Sequence, residues 1–72
     1  MTITELAAAL SALASNAGCS VQYNGHDSWC FELRTFRSAC AHEIVEAALE
    51  ALRADGEIFV RFTREAIIVR AA

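Results

Sequence analysis

The chain has 72 residues, including nine acidic residues, six arginines and no lysine, and its formal net charge is -3. This length supports one core, so we expect a single domain over residues 1–72. The acidic balance argues against direct nucleic-acid binding, because affinity for phosphates comes mainly from Lys and Arg side chains. The hydrophobic fraction of 56% is more than so small a core can hide, so some apolar surface should remain for a partner or a second copy.

The first residues and the cysteines indicate the compartment. The start lacks the basic segment of a secretory signal and carries Glu5, and no apolar run reaches the roughly 20 residues of a membrane helix. Cys19, Cys30 and Cys40 are an odd number, which is atypical of a disulfide framework. We therefore expect a cytoplasmic protein with reduced thiols and no membrane partner.

A capping box predicts the start of the first helix. Thr2 and Glu5 have the spacing at which a hydroxyl and a carboxylate each accept a hydrogen bond from the other residue's backbone amide. Gly18 predicts the end of the helix, because glycine readily adopts the left-handed backbone found there. Apolar residues recur at helical spacing between these points. They are Ile3, Leu6, Leu10, Leu13 and Ala17.

Alternating apolar and polar residues predict two strands on either side of a loop at residues 24–28. A five-residue loop places every apolar pair on one face of the hairpin, whereas a tight turn at Asn24 and Gly25 would break that register. The predicted pairs are Tyr23 with Trp29, Val21 with Phe31, and Cys19 with Leu33.

A second helix is predicted to begin after Ser38, a good N-cap, and to end at Asp55 and Gly56. Its apolar stripe consists of Ala41, Ile44, Val45, Ala48 and Leu52. The opposite side carries His42, Glu43, Glu46, Glu50 and Arg53.

A second hairpin follows Gly56, with alternating apolar residues on either side of a turn at Arg64 and Glu65. In this register Phe62 opposes Ile67 and Val60 opposes Val69 on the core face. The residues left on the outward face are Phe59, Arg61, Ile68 and Arg70.

The order helix-hairpin-helix-hairpin (αββαββ) predicts a two-layer α+β sandwich, with both helices on one face of a four-stranded, mainly antiparallel sheet. The order of the strands within the sheet stays open at this point. Residues 9–13 read ALSAL and residues 48–52 read ALEAL. Either an ancestral duplication or the frequency of Ala and Leu in helices explains this similarity.

The residues that could ligate a metal have unsuitable spacing, since the chain contains no CxxC or HxxxH pair. Cys40 is the best-placed nucleophile, because a helix N-terminus lowers a thiol pKa, but His42 lies two residues on and faces away. We therefore expect no catalytic residue, no metal and no cofactor. A thiol- or metal-dependent enzyme is the least favoured of the functional alternatives.

Three glutamates share one face of the second predicted helix: Glu43, Glu46 and Glu50, here called the acidic ridge. The like charges of Glu46 and Glu50 disfavour the isolated helix, and Arg53 compensates only in part. Two interpretations stay open. The acidic ridge either meets a basic surface on a partner or is a solvated face that keeps the protein soluble.

Two further surfaces carry residues typical of interfaces. Tyr23, His26, Asp27 and Trp29 cluster at the first hairpin, and Tyr and Trp are frequent interface anchors. The alternative is that Trp29 closes one end of the core. The outward face of the second hairpin mixes apolar and basic residues, which predicts that a second subunit or another partner covers it.

These features favour a small non-enzymatic protein-binding module that acts stoichiometrically by occluding a partner's surface. Its size and acidity fit the general profile of phage-encoded or bacterial inhibitors, anti-CRISPR proteins among them, by analogy of size and charge alone. The expected partner is a protein with a basic nucleic-acid-binding surface, met by the acidic ridge with Tyr23 or Trp29 as an apolar anchor. The alternative is a homodimeric structural or accessory subunit that pairs through Phe59 and Ile68.

Overall fold

Two helices and four strands follow one another in the predicted order, and the computed structural model describes all of residues 1–72. The elements are α1 (Ile3–Ala17), β1 (Val21–Gly25), β2 (Ser28–Glu32), a 3₁₀ turn (Leu33–Thr35), α2 (Ala39–Ala54), β3 (Ile58–Phe62) and β4 (Ala66–Ala71). The strands form one antiparallel sheet in the order β1-β2-β4-β3, with α1 against β1 and α2 against β3. The predicted two-layer α+β fold is confirmed.

Side-chain caps begin both helices. The Thr2 hydroxyl accepts the Glu5 amide at 3.1 Å, and the Thr2 amide donates to the Glu5 carboxylate at 3.1 Å, which completes the predicted capping box. This backbone donor lowers the pKa of Glu5. Ser38 caps α2 by accepting the Ala41 amide at 3.2 Å. α1 ends at Gly18, as predicted, and this residue has the positive φ of 73° that glycine readily adopts.

The first hairpin keeps its predicted register with a shorter loop. Tyr23 pairs with Trp29 as expected, but the turn contains only His26 and Asp27, whose φ values of 52° and 56° satisfy a type I′ turn. A bulge between Tyr23 and Gly25 takes up the extra residue and so preserves the apolar pairing.

The predicted pairing of Cys19 with Leu33 is wrong. Cys19 precedes β1, and Leu33 leaves the sheet in the 3₁₀ turn, where its amide donates to the carbonyl of Glu65 at 2.9 Å. The chain must change direction here to enter α2, so the ladder between the first two strands ends before these residues.

The second hairpin has the predicted register, with Phe62 opposite Ile67 and Val60 opposite Val69. Its turn contains no Gly or Asn, and the Thr63 side chain closes it instead. The Thr63 hydroxyl accepts the amide of Ala66 at 3.0 Å and that of Glu65 at 3.3 Å. A side-chain acceptor therefore holds this turn without left-handed residues.

The core lies between the helices and one face of the sheet. Its cluster of buried residues is Leu6, Leu10, Ala14, Trp29, Phe31, Val45, Leu49, Ile58, Ile67 and Val69. On α2 the buried stripe runs through Ala41, Val45 and Leu49, whereas Ile44 is 47% exposed. The prediction that Ile44 faces the core is wrong, because α2 is rotated so that Leu49 occupies the centre of its buried face.

Phe62 shows how the edge of the sheet limits burial. Its register is the predicted one, yet its ring is 51% exposed. It lies at the end of β3, which has a neighbouring strand on one side only. The helices therefore do not cover this core-face side chain.

The chain consists of two αββ halves, residues 2–36 and 38–72, and in each half the helix packs against the edge strand. β2 and β4 pair at the centre of the sheet, and β1 and β3 form its edges. Leu10 and Leu49, which match in the ALSAL and ALEAL segments, are both 0% exposed. Tyr23 and Phe62 are separated by as many residues as Leu10 and Leu49 are. Both are exposed aromatic residues on an edge strand.

Candidate functional site

The acidic ridge lies on the solvent side of α2. Glu43 and Glu50 are exposed, and Glu46 is half-buried. Arg53 Nη2 lies 2.6 Å from Glu50 Oε2, and this hydrogen-bonded ion pair lowers the pKa of Glu50 and raises that of Arg53. Glu46 Oε2 lies 3.5 Å from Nδ1 of His42, whereas Glu43 makes no ion pair.

No other element neutralises the acidic ridge. Both residues that approach its carboxylates, His42 and Arg53, belong to α2 itself. Together the two helices contain four of the nine acids and one of the six arginines, so the helical layer is strongly acidic. Asp55, the C-cap of α2, is exposed as well. A surface of this kind attracts basic partners over several ångströms and loses that attraction in salt.

The first hairpin carries the other residues predicted to bind a partner. The Tyr23 ring lies 5.2 Å from the Trp29 ring, and its hydroxyl accepts the Asp27 amide at 3.2 Å. Tyr23 is 56% exposed and Asp27 is exposed, but Trp29 is only 5% exposed and belongs to the core cluster. Burial leaves Trp29 almost no surface for a partner, so the alternative that it closes the core describes it better.

The structure does not bring the first hairpin and the acidic ridge together. β1 lies at one edge of the sheet, and α2 packs against β3 at the other edge. The predicted anchor Tyr23 and the predicted ridge residue Glu43 therefore belong to separate surfaces. A partner that contacts both would have to span the domain.

The four outward residues of the second hairpin do come together, on the sheet face that no helix covers. Phe59 pairs with Arg70, and Arg61 pairs with Ile68. The Arg70 guanidinium lies 5.1 Å from the centre of the Phe59 ring, which is 56% exposed. These residues line a shallow cleft of about 340 Å³. At the second hairpin the uncovered sheet face is thus apolar and basic, opposite in charge to the helical layer.

Further residues of the uncovered face were not singled out by the sequence. Cys30 pairs with Ile68 on β4 and with Gln22 on β1, so one row of side chains crosses all four strands. A second cleft of about 630 Å³ is lined by two arginines and two glutamates, and one pair of them, Arg34 and Glu32, forms an ion pair. The alternation in β2 already placed Cys30 outward, but only the strand order shows that it adjoins Ile68.

The three thiols are free and are not joined in disulfides. Burial raises the pKa of the half-buried Cys19 thiol, and Cys40 is exposed at the start of α2. The His42 ring packs edge-on against Phe36 at 5.5 Å. No group of three or more His, Cys, Asp or Glu side chains is close enough together to hold a metal ion.

Comparisons with known proteins add no functional assignment. No protein-family model, curated protein or solved structure matches this chain. Neither helix is long and apolar enough to cross a membrane. The charge and exposure of the surfaces described above therefore supply the grounds for a functional proposal.

Proposed function

We propose that this chain is a small non-enzymatic protein-binding module that acts stoichiometrically, by covering a basic surface of its partner with the acidic ridge. The partner class is a protein whose basic surface binds nucleic acid, as for inhibitors of the anti-CRISPR type. The proposal places the protein in the cytoplasm, where such complexes operate. The observation that supports it is the concentration of exposed carboxylates on α2 with no base from any other element.

The chemistry of the acidic ridge suits this role. Carboxylates spaced along a helix can form charge-assisted hydrogen bonds with the Arg and Lys side chains that otherwise hold phosphates. Glu43 is free to do so at once, whereas Glu50 would exchange its pairing with Arg53 for a partner's base. Charge attraction of this kind mainly raises the association rate and weakens as salt screens it.

The experiment compares two variants with matched charge changes. The ridge variant Glu43→Gln/Glu50→Gln removes one free and one Arg-paired glutamate from α2. The control variant Glu32→Gln/Glu65→Gln removes one Arg-paired and one unpaired glutamate from the sheet side. Both raise the net charge by the same amount and leave the core intact.

Tagged wild-type protein should capture one stoichiometric partner from lysate of its host and release it at moderate salt. The control variant should capture the same partner at the same salt, and the ridge variant should lose it. Equal capture by both variants would exclude the acidic ridge as the binding surface. A failure to recover any partner at low salt would contradict the proposal as a whole.

A homodimeric accessory subunit is the second candidate function, and the uncovered sheet face favours it. Phe59 and Ile68 lie on this face beside arginines, a mixture typical of the rim and core of an interface. Face-to-face association would be abolished by Phe59→Asp, as measured by sedimentation at increasing concentration. A monomeric wild-type protein would exclude this candidate.

A further inference from the structure

β3 differs from an ordinary protected edge strand. Natural sheets block their edges with bulges, prolines, lysines or inward charges. β3 reads Ile-Phe-Val-Arg-Phe and contains a single charge, Arg61, with no bulge in its pairing to β4. Phe59 and Phe62 at this edge are each more than half exposed. The edge is therefore open to another strand.

The hydrogen-bond pattern shows which backbone groups face outward. The Thr63 amide donates to Ala66, and the Glu57 carbonyl accepts from Ala72, so these flanking residues direct their backbone toward β4 and its extension. Backbone direction alternates along an antiparallel strand. Ile58, Val60 and Phe62 therefore direct their amides and carbonyls away from the sheet, and no hydrogen bond outside the ladders uses them.

We propose that β3 pairs with β3 of a second copy of this chain, antiparallel and with Val60 on the two-fold axis. In this register Ile58 lies opposite Phe62 of the second copy and Val60 opposite Val60, so all three outward residues find partners. The two sheets become one continuous sheet, with both helical layers on the same side. Two acidic ridges then face the same way, although the pairing itself does not depend on the proposed function.

The side chains favour a second copy in this orientation. Phe59 lies opposite Arg61 of the second copy on the uncovered face, and an arginine against an aromatic ring is a favourable pair. Glu57 precedes β3 and pairs with the Met1 amino group at 3.1 Å. In this register Glu57 of each copy lies across from the segment between Arg61 and Arg64 of the other, whereas parallel pairing would bring the arginines of the two copies together.

The first test uses equivalent positions on the two edges. Phe62→Lys and Tyr23→Lys each replace an exposed core-face aromatic of an edge strand with the charge that natural edges use. Sedimentation of the full chain from micromolar to millimolar concentration should show a monomer–dimer equilibrium. Phe62→Lys should raise the dissociation constant at least about tenfold, and Tyr23→Lys should leave it within about twofold.

Three results would overturn the proposal. If the wild-type protein stays monomeric, β3 does not pair with a second copy, and only a strand of a different protein could pair with it. Equal weakening by both lysine variants would remove the distinction between the edges. A dimer that Ile68→Asp dissociates and Phe62→Lys does not would be a face-to-face dimer. Circular dichroism confirms that each variant is folded before these comparisons are made.

The second test fixes the register without relying on a loss of binding. In a background with the native cysteines replaced by serine, Phe59→Cys chains are mixed with Arg61→Cys chains under mild oxidation. Opposed positions in a non-hydrogen-bonded pair are close enough for a disulfide. The mixture should therefore give a cross-linked dimer, and each variant alone should give far less. Equal cross-linking by Phe59→Cys alone would contradict the antiparallel register.

Discussion

The two αββ halves place matching leucines in the core but present different edges to solvent. β1 carries polar Gln22 and Asn24, and its bulge near Gly25 disturbs the edge. β3 is regular and largely apolar, and its half also supplies all three glutamates of the acidic ridge. The core therefore constrains both halves alike, whereas the acidic ridge and the regular apolar edge both belong to the second half.

The largest expected effect tests the equivalence of the halves. Leu10→Ala and Leu49→Ala each remove a fully buried side chain and leave a cavity, at a cost of about 2–5 kcal/mol in unfolding free energy. Urea denaturation followed by circular dichroism measures both. If the halves share one core, the two costs should be similar. A small effect at Leu49 alone would contradict the rotation of α2 described here.

A smaller effect distinguishes the two turns. Thr63→Val removes the acceptor of the Ala66 amide and leaves a buried donor unpaired, which should cost about 1–3 kcal/mol. His26→Gly keeps the first turn, because glycine adopts a positive φ without strain, and should change stability by less than about 1 kcal/mol. Thermal unfolding of both variants checks the contrast. A neutral Thr63→Val would show that the hydroxyl does not hold its turn.

The helix caps should each contribute about 1 kcal/mol, measured by Thr2→Ala and Ser38→Ala. Both hydroxyls accept a backbone amide, so both substitutions should destabilise the fold to a comparable extent. Chemical denaturation at neutral pH compares them. Thr2→Ser, which retains the hydroxyl, is the control and should recover most of the loss.

The smallest expected effect is a pH dependence of the unfolding free energy. Only the cap of α1 should show it, because only that cap includes a carboxylate, Glu5. The Glu5 pKa lies below its ordinary value of 4.5 in the folded chain, because the ionised carboxylate accepts the Thr2 amide. Its contribution is therefore complete above pH 4.5 and is lost as pH falls through the folded pKa. Glu5→Gln should flatten this acid limb of the stability profile. An unchanged profile would indicate that the reciprocal bond of the capping box carries no stability.

Local signals in the sequence were sufficient for the bounds of the helices and for the register of both hairpins, except for the pair of Cys19 with Leu33 and the length of the first loop. Thr2, Gly18 and Ser38 set the helix ends through hydrogen bonds or backbone angles within a few residues of themselves. Period-two alternation determines which strand residues share a face. The order of the strands depends on the pairing of β2 with β4, which joins residues distant in sequence and has no local signal. The rotation of α2, which exposes Ile44, likewise depends on how the helix packs and not on its periodicity alone.

The sequence predicted which residues belong to each surface, but not their exposure or their position relative to the other surfaces. Charge and helical spacing located the acidic ridge, and alternation located the outward residues of the second hairpin. An aromatic side chain can anchor a partner only if the rest of the fold leaves it exposed. The packing of the helices on the sheet buries Trp29 and leaves Tyr23 exposed, and the sequence does not show this difference. The openness of β3 required both the strand order and the direction of its backbone groups.

Amide hydrogen exchange of the unmodified chain, recorded residue by residue at low and high protein concentration, tests the contrast between the edges most directly. The outward amides of Ile58, Val60 and Phe62 should exchange quickly in dilute solution and slow by at least about tenfold at high concentration, because a second copy then accepts them. The amides of β1 should exchange at the same rate in both. Exchange at β3 that does not depend on concentration, or equal slowing at both edges, would contradict the account.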